Sequence, residues 1–541
     1  MYAQDRSQAR SMVISRQGIV ATSQTLASQA GAQVLARGGS AVDAAIAANA
    51  VMGVVEPMSN GMGGDLFAIV WDAKTGTLTG INASGWAPKG LSIGHLREKG
   101  VNRMPQAGID SVTVPGCVDG WEKLHRRFGR LPWADLFRPA VWFASNGFPV
   151  TELIHEGWAG SVKKLGEDEA GASVYLPNGR EPATGELFRN PQLAGALQMV
   201  AREGAAAFYR GAIAKALLAR SDKAGGTMKP EDVSEFSAEW VTPICITYRG
   251  WNVYELPPNG QGIATLEMLN VMEWFAIPLL PPMSAAAFHI KMEAQKLAYQ
   301  DLRRFVADPR FANVPVQGLL SKEYATGRAL LIDAGRAQCD AKPGDPPNIT
   351  GDTIYLSVVD RDGNIVSLIQ SLYNGFGSGV FVDGMGFHLQ NRGGLFELDP
   401  SHPNALAPRK RPFHTIIPGF MEKGPVHIGF GIMGGLNQAQ AHAQFVSNVV
   451  DHGMNIQAAL EAPRFTKMNF TGCDVVVEAR VTAAVREELK AKGHKLRVVG
   501  DYSGAVGGGQ VAMHDSVSGV NYGASSPRKD GAAVPEAAPY F

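Results

Sequence analysis

The chain has 541 residues, of which 45% are hydrophobic and 18% charged, a composition typical of a folded protein with a sizeable core. Lysine plus arginine and aspartate plus glutamate each number 50, so no excess of charge predicts binding to nucleic acid or to an anionic membrane. The four cysteines are far apart without a CxxC spacing, and no histidine pair has the HExxH spacing, which predicts neither a metal cluster nor a disulfide framework.

The N-terminus, "MYAQDRSQARSMVISRQGIVATS", has no uninterrupted apolar run before its first charges and so differs from a secretory signal. No stretch of the chain approaches the roughly 20 apolar residues that a membrane-spanning helix needs. These observations predict a cytoplasmic protein without a membrane partner.

In chain order, "SAVDAAIAANAVMGVVEP" is small and apolar on nearly every face, which predicts a helix buried between layers. "LFAIVWDAKTGTLTGIN" predicts a hairpin with strands near 66–71 and 77–82. Helical periodicity follows at about 117–147 and 191–221, and most strongly in "AAAFHIKMEAQKLAYQDLRRFVADP". The irregular stretch 334–352, rich in Pro and Gly near its end, predicts a linker.

After this linker come a hairpin in "TIYLSVVDRDGNIVSLIQSL", a strand in "PVHIGFGIM" and a helix in "LNQAQAHAQFVSNVVDHG". A final strand–helix–strand region contains "DVVVEARV" and "AAVREELKAKGHKLRVV". Strands on both sides of the linker, with helices between them, predict a layered α/β protein.

Two motif matches point to other functions. "GLSIG" around Ser92 fits the nucleophile elbow of α/β-hydrolases, but no buried strand precedes it. "GFGIMG", with Gly429, Gly431 and Gly434, fits a dinucleotide fingerprint, yet Asp451, at the distance expected of the ribose-binding acid, closes a helix. A nucleotide-binding protein therefore stays an alternative hypothesis. The glycines retain another use, because N–H groups at a strand-to-helix turn bind developing negative charge.

The hairpin after the linker brings two hydroxyl groups together. If Asp360–Asn364 forms its turn, Val359 faces Ile365, and counting back places Thr353 opposite Ser371. Opposed side chains have Cβ atoms roughly 4.5–5.5 Å apart, within reach of a hydroxyl–hydroxyl hydrogen bond, and a one-residue slip would abolish this pairing. On the pattern alone an ordinary Thr–Ser cross-strand pair is the simpler interpretation. The other interpretation is that Thr353 is a nucleophile.

The segment "TIYLSVVDRDGNIVSLIQSLYNGFGSG" resembles the start of the small subunit in the gamma-glutamyltranspeptidase family of N-terminal nucleophile (Ntn) hydrolases. "GIVATSQTLASQAGAQVLARGGSAVDAAIAANAVMGVVEPMSNGMGGD", "VPGCVDGWEKLHRRFGRLPWADLFRPA", "RKRP", "IMGG" and "YGASSPRKDG" are similar to that family's motifs and occur in the same order. The resemblance covers almost the whole chain. It implies an α/β (α+β) fold, the four-layer αββα sandwich of the Ntn-hydrolase type.

The resemblance also implies a proenzyme that cuts itself between Asp352 and Thr353. Residues 1–352 would form the large subunit and residues 353–541 the small subunit, which would stay together in one compact domain as a heterodimer. It implies a small-molecule amide substrate and no metal, organic cofactor, nucleic acid or membrane. Assembly into a higher homo-oligomer is left open.

The resemblance assigns catalytic roles residue by residue. Thr353 would supply the nucleophilic hydroxyl, and its freed α-amine, with an unperturbed pKa of roughly 7.7–8.0, would serve as the general base. Ser371 matches the family's hydroxyl that hydrogen-bonds to the nucleophile. Gly434 and Gly435 match the pair whose N–H groups form the oxyanion hole.

The positions that bind the glutamyl group in the family carry other residues here: Ser84, His414, Thr415, Tyr373, Arg392 and Leu395. The family's acidic partner for the substrate's α-amine is gone, and an ammonium group would instead meet the positive charge of Arg392, which is repulsive in a low-dielectric pocket. The segment from Asn391 to the "KRP" motif is also about ten residues shorter than in members with a lid loop.

We therefore predict that Arg392 binds a carboxylate on the acyl side of the substrate, since a guanidinium can do so through two hydrogen bonds. His414 and Tyr373 would complete that pocket. The alternative is that Arg392 pairs with a local acid, Glu397 or Asp399, and never meets substrate.

The predicted function is hydrolysis of an oxamate-like or glutaryl-type amide through a threonine acyl-enzyme. In its pocket pattern the chain is similar to oxamate amidohydrolase-like and acylase-like members of the family. One alternative is a gamma-glutamyltransferase or glutathione hydrolase with an altered pocket. Another, of a different class, is a non-catalytic nucleotide- or ligand-binding protein.

Overall fold

The computed structural model describes residues 8–346 and 357–539. Within them the strands, in chain order, are β1 (Val13–Ser15), β2 (Ile19–Thr22), β3 (Asp65–Asp72), β4 (Thr77–Ala83), β5 (Phe148–Pro149), β6 (Leu187–Phe188), β7 (Glu239–Val241), β8 (Ile244–Tyr248), β9 (Trp251–Glu255), β10 (Val358–Val359), β11 (Ile365–Ser371), β12 (Phe381–Val382), β13 (Phe387–His388), β14 (Gly419–Lys423), β15 (Val426–Ile432), β16 (Phe465–Thr466), β17 (Asp474–Glu478), β18 (Lys495–Val499), β19 (Gly509–Asp515), β20 (Val520–Ser525) and β21 (Ala532–Pro535).

The α-helices in the same described residues are α1 (Thr25–Ala36), α2 (Ala41–Val55), α3 (Ile93–Glu98), α4 (Cys117–Phe128), α5 (Arg138–Asn146), α6 (Glu152–Ala159), α7 (Val162–Leu165), α8 (Glu169–Tyr175), α9 (Pro191–Glu203), α10 (Ala205–Tyr209), α11 (Ala212–Lys223), α12 (Pro230–Ser234), α13 (Gly262–Met272), α14 (Ala285–Phe305), α15 (Val316–Leu319), α16 (Lys322–Ala329), α17 (Asn437–Val450), α18 (Ile456–Glu461) and α19 (Ala483–Ala491).

Two seven-stranded antiparallel sheets form the centre of the molecule. One has the strand order β1-β20-β19-β15-β14-β9-β8, and the other has the order β21-β2-β10-β11-β3-β4-β7. Both sheets combine strands that precede residue 347 with strands that follow residue 356. The parts of the chain on either side of the predicted linker therefore share both sheets.

Strand β3 shows how the layers stack. Phe67 and Ile69 point into a core shared with the other sheet and with α13 and α17, whereas Leu66, Ala68 and Val70 point into a core shared with α1 and α2. Successive side chains of a strand face opposite sides, so this sheet is buried on both faces and its strand sequence is almost continuously apolar. The result is helices, two face-to-face sheets and helices again, and the predicted four-layer αββα sandwich is confirmed.

The first buried helix begins as its sequence predicts. Ser40 caps α2: its Oγ accepts a hydrogen bond from the Asp43 N–H (3.1 Å), and the Asp43 carboxylate accepts one from the Ser40 N–H (2.9 Å). Nearly every residue of α2 is buried, as expected for a helix that is small and apolar all round.

The predicted register of the second hairpin is confirmed at its described residues. Val359 lies opposite Ile365 and Val358 opposite Val366. On the other edge of β11, Ser371 pairs with Asp65 at the start of β3. Thr353 and the preceding Asp352 lie outside the described residues, so the pairing of Thr353 with Ser371 stays a prediction.

The prediction about the cysteines is wrong. Cys339 and Cys473 form a disulfide across 134 residues of sequence. Cys117 and Cys245 are free, the first buried and the second exposed. Spacing along the chain could not indicate this pair, because its members meet only through the packing of the linker against the last strand–helix–strand unit.

Among the helices that the structure describes, none combines the length and the apolar character needed to cross a bilayer.

Candidate active site

The end of β11 places Ser371 beside a tight turn. The Ser371 Oγ accepts a hydrogen bond from the N–H of Tyr373 (2.8 Å). Tyr373 has φ = +79°, a left-handed conformation that costs a residue with a side chain on the order of 1–3 kcal/mol. Such strain persists only where the surroundings hold it, and here it directs the tyrosine ring to within 4.7 Å of the guanidinium carbon of Arg392.

Gly434 and Gly435 form the turn between β15 and α17. Their φ angles of +121° and +61° lie in the region that glycine adopts without a steric penalty. Within the described residues neither N–H donates a hydrogen bond, and both precede the N-terminus of α17, where the helix dipole favours negative charge. Two free N–H groups at such a turn can stabilise an oxyanion.

Gln261 connects this turn to Thr415. Its side-chain amide donates hydrogen bonds to the carbonyl oxygens of Gly435 (2.7 Å) and Thr415 (2.5 Å). Gln261 itself is fully buried just before α13. The sequence did not single it out, because an amide that bonds only to main-chain oxygens leaves no recognisable motif.

Arg392 is fully buried in a 3₁₀ turn, Arg392–Leu395. Its Nη1 donates to the Thr415 hydroxyl (2.6 Å), whereas Nε and Nη2 have no hydrogen-bond partner among the described residues. Burial lowers the pKa of the guanidinium to about 10, so it stays charged at neutral pH.

The local-acid alternative for Arg392 is not supported by the geometry. Neither Glu397 nor Asp399 forms an ion pair with it in the described part of the chain, and Asp399 instead accepts a hydrogen bond from the Ser401 hydroxyl (2.7 Å). Among the residues that the structure describes, Arg392 is thus a buried cation with two unpaired donors, and Asp65 is the acid that acts on its charge.

His414 lies behind this pocket rather than on its wall. Its Nδ1 accepts from the N–H of Ile416 (3.3 Å), so Nε2 carries the proton and donates to the Asp65 carboxylate (3.1 Å). Burial, followed by the charges of Arg392 and Arg411, holds the pKa of His414 well below its usual value, and the ring is neutral.

Asp65 is a buried carboxyl group that the sequence analysis missed. It accepts from the N–H of Gly85 (3.0 Å) as well as from His414. Burial raises the pKa of Asp65 to about 7, against the opposing effect of the Arg392 charge. The available signal was a carboxylate at the start of an otherwise apolar strand in "GGDLFAIV".

One cavity of about 500 Å³ brings most of the predicted residues together. Six of them line it: Ser371, Tyr373, Arg392, Thr415, Gly434 and Gly435. Lys529 also lines the cavity, with its ammonium 2.8 Å from the Glu56 carboxylate. His414 does not line the cavity, and Asp352 and Thr353 lie outside the described residues.

Ser84, which the sequence analysis matched to a glutamyl-binding position of the family, is fully buried among polar groups. The Ser84 side chain is buried and donates to the Asn82 amide oxygen (2.7 Å), while its carbonyl accepts from the Nε of Arg411 (3.0 Å). Ser92, the nucleophile-elbow candidate, instead caps α3 by accepting from the N–H of His95 (3.1 Å).

A group with metal-ligand atoms lies away from this cavity. His289, Glu293 and His494 place one such atom each within 4.8 Å of one another. The two imidazoles hydrogen-bond to each other (2.8 Å), and the Lys296 ammonium lies 2.6 Å from the Glu293 carboxylate. A cation that already neutralises the carboxylate opposes the binding of a metal ion.

Comparisons with known proteins agree across the chain. Residues 27–536 match the family model described as Gamma-glutamyltranspeptidase. The glutathione hydrolase-like YwrD proenzyme of Bacillus subtilis is 37% identical over 527 residues, covering 96% of this chain and 99% of that protein. The oxamate amidohydrolase proenzyme of Klebsiella pneumoniae subsp. pneumoniae is 34% identical over 534 residues, with coverage of 96% and 99%. Among solved structures, a cephalosporin acylase from Bacillus halodurans superimposes with a TM-score of 0.92 at 42% identity and 98% coverage of both chains.

Proposed function

The chain belongs to the gamma-glutamyltranspeptidase family of Ntn amidohydrolases, and from that premise we propose that it cuts itself before Thr353 and then hydrolyses amides of small carboxylate-bearing acids. The observation that carries the substrate class is the buried, incompletely hydrogen-bonded guanidinium of Arg392 in the cavity. The nucleotide-binding alternative is not favoured, because the family match spans residues 27–536, including the glycine turn that suggested it.

Maturation would use the threonine hydroxyl on its own backbone. The Thr353 Oγ attacks the carbonyl carbon of Asp352, the C–N bond breaks, and the hydroxyl proton passes to the departing nitrogen, which becomes the free α-amine. Water then opens the resulting ester, giving a carboxylate on Asp352 and restoring the Thr353 hydroxyl. The large and small fragments would remain together as a heterodimer, because each of the two sheets contains strands of both fragments.

Turnover would repeat the same attack on a substrate amide. The α-amine of Thr353 accepts the hydroxyl proton as Oγ attacks, and the leaving amine takes that proton when the C–N bond breaks. The N–H groups of Gly434 and Gly435 would stabilise the oxyanion, an interaction for which removal of one donor typically costs about 10²–10³-fold in rate. Ser371 would orient the nucleophile. Water finally hydrolyses the acyl-enzyme and releases the acid.

Selection of an acidic acyl group would fall to Arg392. A substrate carboxylate would accept hydrogen bonds from Nε and Nη2, which have no partner among the described residues, and would balance the positive charge, whereas an α-ammonium would be repelled. Thr415 and Tyr373 hold the guanidinium in place. A dicarboxylic monoamide without an α-amine, oxamate-like or glutaryl-type, meets these demands, and relatives named oxamate amidohydrolase and acylase support this class.

A second candidate is gamma-glutamyl hydrolysis or transfer, which the name of a 37% identical relative favours. A chromogenic gamma-glutamyl anilide and the matching glutaryl anilide separate the two, since they differ only in the α-amine. Preference for the glutaryl compound is expected. Preference for the gamma-glutamyl compound would transfer the proposal to the second candidate.

The deciding experiment on maturation compares wild type with Thr353→Ala by intact mass and N-terminal sequencing. We expect wild type to yield two chains, the smaller beginning Thr353-Ile354-Tyr355, and the variant to stay whole. A folded wild-type chain that never cleaves would overturn the proposal. Added amino-acid acceptors then test hydrolysis against transfer, for which we expect free acid as the main product.

A further inference from the structure

We propose that the disulfide between Cys339 and Cys473 joins the two fragments covalently, so that the mature enzyme is a disulfide-linked heterodimer. The inference rests on the proposed self-cleavage before Thr353. Cys339 precedes that bond and belongs to the large fragment, whereas Cys473 follows it and belongs to the small fragment. Self-cleavage would therefore turn a bond within one chain into a bond between two.

The backbone around Cys339 is docked on the small fragment independently of the disulfide. The Gly472 N–H donates to the Cys339 carbonyl (3.1 Å), and the Ala337 N–H donates to the Lys492 carbonyl (2.7 Å). Cys473 leads directly into β17, and its Cα lies 4.7 Å from that of Cys339. The packing holds the two cysteines next to each other, so forming the bond requires no large rearrangement.

The large fragment also holds the far side of this segment. Arg328 donates to the Lys342 carbonyl (2.9 Å), and the Gly344 N–H donates to the Asp301 carboxylate (2.7 Å). Arg328 and Asp301 form an ion pair (3.0 Å) in which both side chains are nearly fully buried. Cys339 is thus fixed between an anchor on its own fragment and an anchor on the other.

The surroundings of the two sulfur atoms suit thiol–disulfide exchange. The Lys296 ammonium lies 3.6 Å from the Cys473 Sγ, and a nearby cation favours the thiolate form of a cysteine. Cys339 is an exposed residue, whereas Cys473 is buried. A small reagent would therefore react first at Cys339, and Cys473 would then attack the mixed disulfide from inside.

The bond forms with loss of two protons and two electrons from the thiols, which a low-molecular-weight disulfide accepts. One thiolate displaces half of the reagent to give a mixed disulfide on Cys339, and the Cys473 thiolate then displaces the other half. In a strongly reducing compartment the same exchange runs backwards, and the fragments would be held by packing alone.

The tether should matter when the protein unfolds. The fragments share both sheets, so they stay together while folded whether or not the bond exists. Once unfolded, two separate chains must find each other by diffusion, whereas linked chains keep a high effective concentration. Refolding of the tethered enzyme is therefore expected to be independent of dilution.

The test is denaturing electrophoresis of the purified protein. Free thiols are first alkylated, and each sample is then run once without and once with a reductant. Wild type is treated beforehand with 2-hydroxyethyl disulfide, which carries no amide bond. We expect a single linked species without reductant and two fragments with it. Cys339→Ser and Cys339→Ala should give two fragments under both conditions. Cys245→Ser, which removes the exposed free cysteine, is the matched control and should behave as wild type.

The failures of the two proposals are distinguishable. Two unlinked fragments in oxidised wild type would overturn the tether alone. A full-length chain that persists under reduction would overturn self-cleavage, and the tether with it. As a second measurement, refolding yield from denaturant should stay constant for wild type over about a hundred-fold dilution and fall for Cys339→Ser. An equal fall for both proteins would contradict the tether.

Discussion

Two arginines of this protein, Arg392 and Arg528, are both almost fully buried but differ in their hydrogen-bond partners. Arg528 binds the Glu478 carboxylate through Nε (2.7 Å) and Nη2 (2.6 Å) and donates to the main-chain carbonyls of Leu460 and Ala462. Arg392 donates to the Thr415 hydroxyl and leaves two nitrogens without a partner among the described residues. Burying a charge without hydrogen bonds is costly, so an unpaired buried cation beside a cavity indicates a ligand that completes it.

The difference separates a structural arginine from a candidate binding arginine. Glu478 also accepts from the main-chain N–H groups of Arg464 (3.0 Å) and Ser503 (3.1 Å), so the carboxylate that pairs with Arg528 accepts four hydrogen bonds. Arg392 instead lines the cavity, with Nε and Nη2 unpaired among the described residues. Burial alone would have ranked the two residues equally, and only the accounting of donors and acceptors distinguishes them.

The largest expected effect is the loss of stability when the structural arginine, Arg528, is replaced. Arg528→Met leaves Glu478 buried without its cation, and we expect a loss of roughly 3–5 kcal/mol in the free energy of unfolding. Arg392→Met removes a cation that acts on the charge of Asp65 but forms no ion pair among the described residues, so we expect a change of less than about 1 kcal/mol. Denaturant titrations of both variants in the uncleaved Thr353→Ala background provide the measurement. Equal destabilisation would mean that Arg392 is structural as well.

The next largest effect is expected on the hydrolysis of acidic substrates when Arg392, the candidate binding arginine, is replaced. Arg392→Ala should lower kcat/KM for a glutaryl anilide about 10–100-fold, the equivalent of losing a charged hydrogen bond worth about 1.5–3 kcal/mol, and should leave a neutral acyl anilide nearly unchanged. Arg392→Lys keeps the charge but loses the planar pair of donors, so an intermediate loss is expected.

A matched control is Lys529→Gln, which alters a cavity cation that is already paired with Glu56. It should not change the ratio of acidic to neutral substrate hydrolysis. If Arg392→Ala leaves that ratio unchanged too, the carboxylate pocket is elsewhere.

The smallest effect concerns the carboxyl group behind Arg392. The pKa of Asp65 is raised to about 7 by burial, so raising the pH through 7 places a negative charge near the guanidinium. We expect KM for an acidic amide to rise about three- to tenfold over that range, the size of a charge interaction of about 1 kcal/mol. Asp65→Asn should flatten the KM–pH profile, and a profile with an unchanged slope would exclude Asp65 as its origin.

The same group predicts how stability depends on pH. The folded-state pKa of Asp65, about 7, lies above the unfolded value of roughly 3.9, so the folded protein binds the extra proton between these values. Stability should therefore fall as the pH rises from about 4 to 7, and Asp65→Asn should remove that part of the slope. Melting temperatures of both proteins across this range provide the check.

Much of the fold was predictable from local pattern. The turn at Asp360–Asn364 fixed the register of β10 against β11, because side chains alternate along a strand and the hydrophobic set must face the core. The all-apolar helix α2 and the glycine turn at Gly434 were likewise readable from a few consecutive residues. Each of these depends on interactions within one element or between sequence neighbours.

Features formed by residues far apart in the sequence were missed. Cys339 and Cys473 are separated by 134 residues, and Asp65 reaches His414 across 349. The Gln261 side chain donates to main-chain carbonyl oxygens, and because every residue type has such an oxygen, the sequence does not indicate these partners. No spacing rule connects such residues, because the distance between them is set by how the layers pack.

By itself, the sequence determined the element types, the glycine turn and the order of motifs that identifies the family, since these follow from backbone preferences and periodicity. Tertiary structure alone decided which buried charges are neutralised. Arg392 and Arg528 carry the same side chain, and the partner of Arg528 lies 50 residues away along the chain. Whether a buried donor is paired depends on which acceptors the packed layers bring within about 3 Å, and that distance exists only in the folded molecule.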